Sequence, residues 1–109
     1  MIVLVCGGRD YDGDVRCLSE LEIDILIHGA CKGADLKAAG WARTNGIHVA
    51  AIPALWEVYG DSLAGTLRNE VMALLNIEYC VAFPGGSGTR DMVSRMQELG
   101  VTVWKPYGC

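Results

Sequence analysis

Residues 2–11, IVLVCGGRDY, decide the fold, because a short apolar run leads directly into a double glycine. A continuous run of Val, Ile and Leu, with no polar alternation, is typical of a strand buried on both faces. The chain has five such runs, separated by segments whose apolar residues have helical spacing. The predicted strands are 2–6, 23–28, 47–52, 78–83 and 101–104.

Helical patterns occupy the intervals between these strands, and connections are short. This alternation predicts right-handed βαβ units, and so an α/β fold. We expect a single Rossmann-like three-layer domain over residues 1–109, with a five-stranded parallel sheet and helices on both faces. The apolar positions of the four predicted helices are Val15, Leu18 and Leu21; Leu36, Ala39, Trp41 and Ala42; Leu63, Leu67, Val71 and Leu74; and Met92, Val93, Met96 and Leu99.

Composition and charge exclude several classes of protein. No apolar run approaches the roughly 18 residues of a membrane span, and the first residues lack the charged region of a signal peptide. Nine basic residues in a chain of net charge −4 do not make a broad phosphate-neutralising face, so no nucleic-acid polymer is expected as partner. Five cysteines without a CxxC pair indicate a reduced, cytoplasmic protein. His28 and Cys31 lack a second ligand pair, so neither a metal nor another cofactor is expected.

Glycine is unusually frequent: it makes up 14 of the 109 residues, or about 13%, whereas its usual share in proteins is about 7%. Half of these glycines fall in three loops that follow predicted strands: CGGRDY (6–11), HGACKGAD (28–35) and FPGGSGTRDM (83–92). Ligands of open α/β sheets bind beyond the carboxyl ends of the strands, where such loops converge. A role in tight strand-to-helix turns is the alternative for each loop.

The third loop has the composition of a phosphate cradle. Its glycines allow backbone N–H groups to point inward, and a helix begins immediately afterwards with its positive dipole end towards the loop. The loop does not match GxxxxGK[ST], and the first strand is not followed by GxGxxG. The chain is therefore unlike an ordinary ATPase or a dinucleotide-binding domain. Its candidate ligand-binding residues are Pro84, Gly85, Gly86, Ser87, Gly88 and Thr89.

Together with GTLRN (65–69) and AIPALW (51–56), these loops resemble the small bacterial and phage YspA/YpsA-related members of the SLOG superfamily, which also includes the LOG phosphoribohydrolases. The resemblance implies a domain that binds nucleotides or nucleotide-derived molecules. Ala30 stands where the family usually has glycine, Lys32 where it has arginine, and the usual proline before Leu67 is missing. The positions that match the family's loops are Gly7, Gly8, Arg9, Asp10, His28, Gly29, Lys32, Gly33, Asp35, Arg68 and Asn69.

Each charged candidate has a plain alternative. Arg9 either makes a bidentate contact with a ligand phosphate or forms an ion pair with Asp10. Lys32 either contacts the ligand or is solvated. Asp35 either holds a ribose hydroxyl or complements a helix dipole, and Arg68 and Asn69 either bind ligand or cap and solvate a helix.

Three aromatic residues, Tyr11, Trp56 and Tyr59, either stack on a base or pack internally.

Catalysis is left open by the sequence. In LOG phosphoribohydrolases the PGGxGTxxE motif ends in a glutamate, and Met92 occupies that position here. A thioether cannot act as general acid or base, although Asp10 or Asp35 could supply a carboxylate. The thiol of Cys31, near His28, is either reactive or forms a buried neutral pair with that histidine.

We therefore expect a protein that binds a nucleotide-like small molecule, such as an ADP-ribose-like molecule or a cyclic signalling nucleotide, as a sensor or sequestering protein. The alternative function is hydrolysis of an N-glycosidic or phosphoester bond, and a third is an interaction subunit with structural loops. Exposed helices in a small, half-apolar chain also predict a homo-oligomer.

Overall fold

The computed structural model describes residues 1–61 and 63–108, and these form five strands and four α-helices. The strands make one parallel sheet in the order β3-β2-β1-β4-β5, with β1 at its centre. The α/β Rossmann-like prediction is therefore confirmed. The strands are β1 (Ile2–Cys6), β2 (Ile25–His28), β3 (His48–Ala51), β4 (Tyr79–Ala82) and β5 (Thr102–Trp104).

Strand bounds agree with the sequence to within two residues. β1 has the predicted limits, whereas the other four strands begin or end one or two residues inside the apolar runs. Ile23, the first residue of the predicted run 23–28, is buried beside the sheet without belonging to its hydrogen-bonded ladder. An apolar run in the sequence indicates which residues are buried, and the buried residues continue slightly beyond the ends of the hydrogen-bonded strands.

The helices differ from the prediction in two places. The expected first helix is a 3-10 helix, Arg16–Glu20, because the three-residue spacing of Val15, Leu18 and Leu21 matches three residues per turn. A four-residue helix after β3 was not predicted. The α-helices are α1 (Ala34–Thr44), α2 (Trp56–Tyr59), α3 (Ala64–Met72) and α4 (Ser87–Glu98), and a second short 3-10 segment spans Pro106–Gly108.

Two apolar clusters cover the two faces of the sheet. Alternate side chains of β1 point to opposite faces, as in any strand. Val3 and Val5 pack against the 3-10 helix and α1, whereas Leu4 and Cys6 pack against residues of α3 and α4. Helices therefore lie on both faces, as predicted.

The prediction that the apolar residues of α3 face the core is wrong. Leu63, Val71 and Leu74 point towards solvent, and Leu74 is 76% exposed. The residues that α3 buries are Ala64, Asn69 and Met72. Asn69 is drawn inward by hydrogen bonds to α4, and this rotates the apolar stripe outward. Leu36 of α1 and Leu99 after α4 are likewise exposed rather than buried.

A glycine follows two of the α-helices in the left-handed conformation. α1 ends at Thr44 and Gly46 follows with φ +71°, whereas α4 ends at Glu98 and Gly100 follows with φ +76°. Positive φ at the residue after a helix is the usual role of glycine there. In the described part of the chain no helix has both the length and the apolar character needed to cross a membrane.

Candidate functional site: a cleft at the carboxyl edge of the sheet

A cavity of about 540 Å³ opens where the loop after β1 meets α3 and the start of α4. The strand order reverses between β1 and β4, so the cavity lies at the topological switch point of the sheet. Ten residues predicted to bind ligand line it: Gly7, Gly8, Arg9, Asp35, Arg68, Asn69, Gly86, Ser87, Gly88 and Thr89.

Seven other predicted residues lie near the cavity without lining it: Asp10, His28, Gly29, Lys32, Gly33, Pro84 and Gly85. Asp10 and Lys32 are exposed, whereas His28 and Gly29 are buried. Pro84 contributes its carbonyl oxygen, which accepts a hydrogen bond from the Gly8 N–H at 2.8 Å. Ligand contact by these seven stays a prediction.

The N-terminus of α4 faces the cavity. Gly86 is the N-cap of this twelve-residue helix, and the first N–H groups of a helix have no carbonyl partner within it. A β carbon placed on Gly86 or Gly88 would meet no heavy atom within 4 Å, so both glycines border open space. This end of the cleft has the geometry of an anion site.

Close backbone contacts hold the three loops together. Gly33 has φ +78°, and a β carbon there would come within 2.6 Å of the Arg9 carbonyl oxygen. The Ala34 N–H donates to the Gly8 carbonyl oxygen at 3.2 Å. A β carbon on Gly85 would lie 2.7 Å from the Gly8 nitrogen. The glycines of the second and third loops thus let both approach the first.

Asp35 holds the second loop in place. Its Oδ2 accepts hydrogen bonds from the N–H groups of Gly29 at 2.8 Å and Cys31 at 3.4 Å. The side chain is 5% exposed, and burial raises the pKa of this carboxyl to about 6 against the opposing effect of those bonds and of Arg68. Between the two bonded residues Ala30 has φ +59°, a conformation that glycine adopts without strain.

Arg68 ties α3 to the same loop. Its Nη1 donates to the Gly29 carbonyl oxygen and lies 3.6 Å from Cys31 Sγ. Its Nε donates to Asn69 Oδ1 at 3.0 Å. Much of this guanidinium is therefore engaged within the protein, which is a third role besides the ligand contact and solvation considered from sequence.

A polar bridge joins α3 to α4. Asn69, which is 4% exposed, donates through Nδ2 to Asp91 Oδ2 at 3.0 Å and to the Gly88 carbonyl oxygen at 3.2 Å. Arg95 donates to the same Asp91 oxygen at 3.0 Å. Burial raises the pKa of Asp91, but the hydrogen bonds from Asn69 and Arg95 outweigh it and hold the pKa below its usual value. The bridge fixes the helix end that faces the cavity.

Trp56 and Arg9 meet at the cavity lining. The guanidinium carbon of Arg9 lies 5.0 Å from the centroid of the Trp56 ring, which is within the range of a cation–π interaction. Of the three aromatic candidates, Trp56 lines the cavity. Tyr11 instead packs on Phe83, with ring centroids 5.2 Å apart. Tyr59 is exposed on α2.

His28 is buried at the end of β2. Its Nδ1 accepts a hydrogen bond from the Ala30 N–H at 2.9 Å, which assigns the proton of the neutral ring to Nε2. Nε2 is buried without a hydrogen-bond partner among residues 1–61 and 63–108. Burial, followed by the charges of Arg43 and Arg68, lowers the pKa of His28. The ring is therefore neutral at neutral pH.

Three carboxylates and a buried methionine also line the cavity. Asp61 and Asp91 join Asp35 there, and Met92, which is almost fully buried, contributes a thioether. Sequence reasoning proposed Asp35 as a ligand residue and did not include Asp61, which follows the unpredicted helix α2. No group of three or more His, Cys, Asp or Glu suited to a metal ion occurs within the described ranges.

The fold and the cleft define a class: a Rossmann-like α/β domain whose glycine-rich loops and one helix N-terminus enclose an anion-suited cavity at the switch point. Within that class, the chain belongs to the YspA, cpYpsA-related SLOG family, whose sequence model matches residues 1–59. The match includes the first two loops, and α3 and the third loop follow it. No curated protein matches the chain.

Proposed function

We propose that this protein binds a nucleotide or nucleotide-derived small molecule in the cleft, as a sensor or sequestering protein. The observation that carries the proposal is the N-terminus of α4, which opens onto the same cavity as Arg9. Free N–H groups and a nearby guanidinium suit a phosphate. Membership of the SLOG family supports a nucleotide-related role.

The cavity's dimensions favour one small ligand. Pockets for small molecules commonly measure about 300–1,000 Å³, and this cavity of about 540 Å³ falls within that range. A net charge of −4 disfavours a polyanion. ADP-ribose-like and cyclic nucleotides both belong to the ligand class that we propose.

Hydrolysis of an N-glycosidic or phosphoester bond is the second candidate function. Asp35 favours it, because a carboxyl group with a pKa of about 6 on a cavity lining can exchange a proton near neutral pH. Met92 disfavours it, since it stands where LOG phosphoribohydrolases have their glutamate. Binding without cleavage is therefore the primary proposal.

A charge placed at the helix end tests the binding proposal. In Gly86→Asp the new residue is a favoured N-cap, so the fold is preserved, while its carboxylate competes with phosphate for the N–H groups. Isothermal titration with AMP, ADP and ADP-ribose is expected to show at least about a tenfold loss of affinity, the equivalent of one charge-assisted hydrogen bond. Gly40→Asp on α1 is the matched control, because a β carbon there also meets open space.

Binding equal to wild type in Gly86→Asp would remove the helix end from the site. Failure of wild type to bind any nucleotide tested would refute the proposed function. Chromatography of the recovered ligand separates the two candidates, since intact ligand indicates binding and released base or ribose phosphate indicates hydrolysis.

A further inference from the structure

Arg9 is the less committed of the two arginines that line the cavity. Arg68 already donates to Gly29 and Asn69. Arg9 is exposed and its described contact is with the face of Trp56. A guanidinium resting on an exposed ring is held less strongly than one that forks onto phosphate, where two charge-assisted hydrogen bonds form.

Trp56 presents an aromatic surface at the same place. It is 37% exposed and belongs to α2, a helix that buries none of its own residues. A β carbon on Gly65 would lie 3.5 Å from its six-membered ring, so the indole rests beside the first turn of α3. The ring face under Arg9 is flat and borders the cavity.

We propose that ligand binding makes Arg9 exchange partners: its guanidinium leaves Trp56 for the ligand's phosphate, and the ligand's planar base stacks on the indole face that Arg9 covered. The inference rests on the proposed function and narrows its ligand class to phosphates that carry an aromatic base. Base stacking on an aromatic side chain contributes affinity with little preference among bases.

Two features of the chain permit this exchange. Arg9 extends from a turn directly after Gly7 and Gly8, and its long side chain can swing without movement of the strand. α2 buries none of its own residues and is followed by Gly60 with φ +76°. Trp56 can therefore adjust its tilt to a base while the sheet remains unchanged.

The test compares ligands with and without a base. Wild type, Trp56→Leu and Trp56→Tyr are titrated with AMP, GMP, CMP, UMP and ribose 5-phosphate. Trp56→Leu is expected to weaken binding of the nucleotides at least about tenfold, close to the affinity for ribose 5-phosphate, and to leave ribose 5-phosphate binding unchanged or tighter. Trp56→Tyr keeps a π face and is expected to restore most of the nucleotide affinity.

Tyr59→Leu is the matched control, because Tyr59 is an exposed aromatic residue of the same helix that does not line the cavity. Tryptophan emission gives a second readout. Nucleotides, and not ribose 5-phosphate, are expected to quench emission in wild type, and this difference should disappear in Trp56→Leu.

Specific outcomes overturn the exchange and leave the proposed function standing. One such outcome is that wild type binds nucleotides and Trp56→Leu binds them with the same affinity. The other is that Trp56→Leu loses affinity for ribose 5-phosphate as much as for the nucleotides. Absence of nucleotide binding by wild type refutes the proposed function and the exchange together.

Discussion

Asp35 illustrates how one residue of the cleft connects structure with pH. Its carboxyl is enclosed beside two backbone N–H groups of the second loop, and its pKa of about 6 lies above the ordinary value of 3.8. The folded protein therefore retains a proton on Asp35 in a range where the unfolded chain has lost it. Stability contributed by this proton is full below about pH 4 and is lost as pH rises through about 6.

Replacing this carboxyl should remove that dependence. In Asp35→Asn we expect the difference in unfolding free energy between wild type and variant to change by about 2 kcal/mol from pH 4 to pH 7, with wild type losing relative stability as pH rises. Urea denaturation at several pH values measures this difference. His28 has a lowered pKa and acts in the opposite sense, but it is present in both proteins. Parallel pH profiles would contradict the assignment.

The placement of residues around the cavity was predictable from sequence where it depends on loop position. Gly86, Gly88 and Arg9 follow strands, and they line the cavity as a parallel sheet requires. The internal bonds of Arg68 and Asn69 were not predictable, because they join residues 39 and 22 positions apart. Sequence assigns such side chains to ligand or solvent because it does not show which backbone groups they meet.

At the scale of elements, α1 carries two glycines with opposite requirements. Gly33 precedes the helix with φ +78° and packs on the first loop, whereas Gly40 lies inside the helix in open space. Gly40→Ala should raise stability by about 0.5–1 kcal/mol through lost unfolded-state entropy. Gly33→Ala should lower it by at least about 1–3 kcal/mol through strain. Thermal unfolding measures both, and equal midpoints would contradict this account.

The outward face of α3 bears on self-association, which stays a prediction. Exposed apolar side chains occur on α2, on α3 and next to the two ends of α3, among them Val58, Leu63, Val71 and Leu74. We expect two copies to cover this surface mutually, since a two-fold interface uses the same patch twice. Sedimentation velocity should show a dimer for wild type and Leu99→Glu, and a monomer for Leu74→Glu. A wild-type monomer would contradict this expectation.

Elements were predictable to different degrees for physical reasons. The three central strands followed from burial on both faces, which leaves an unbroken apolar run. The edge strands β3 and β5 have the same apolar composition but are only partly buried. The direction of α3 did not follow, because a buried polar residue, Asn69, competes with the apolar stripe for the inner side. Helical periodicity identifies an apolar face without showing whether the sheet or solvent meets it.

At the scale of the whole molecule, the central strand couples the two apolar clusters. Leu4 belongs to the cluster beneath α3 and α4, whereas Trp41 and Trp104 pack against the cluster on the opposite face. Leu4→Ala removes a fully buried side chain and should lower stability by about 2.7–5 kcal/mol. Tryptophan fluorescence and circular dichroism should report the same lowered midpoint. Separate transitions would show that the two faces unfold independently.

The connection from β3 to β4 crosses from one edge of the sheet to the far side of β1, and on its way it supplies α3 as a wall of the cleft. The same segment therefore makes the crossover between the two halves of the sheet and lines the cleft. α3 is a nine-residue helix, whereas β1 is hydrogen-bonded to a neighbouring strand on each side, so the amide protons of α3 should exchange with solvent sooner than those of β1. A molecule bound between α3 and the first loop would stabilise this segment, and its binding would slow deuterium uptake across α3.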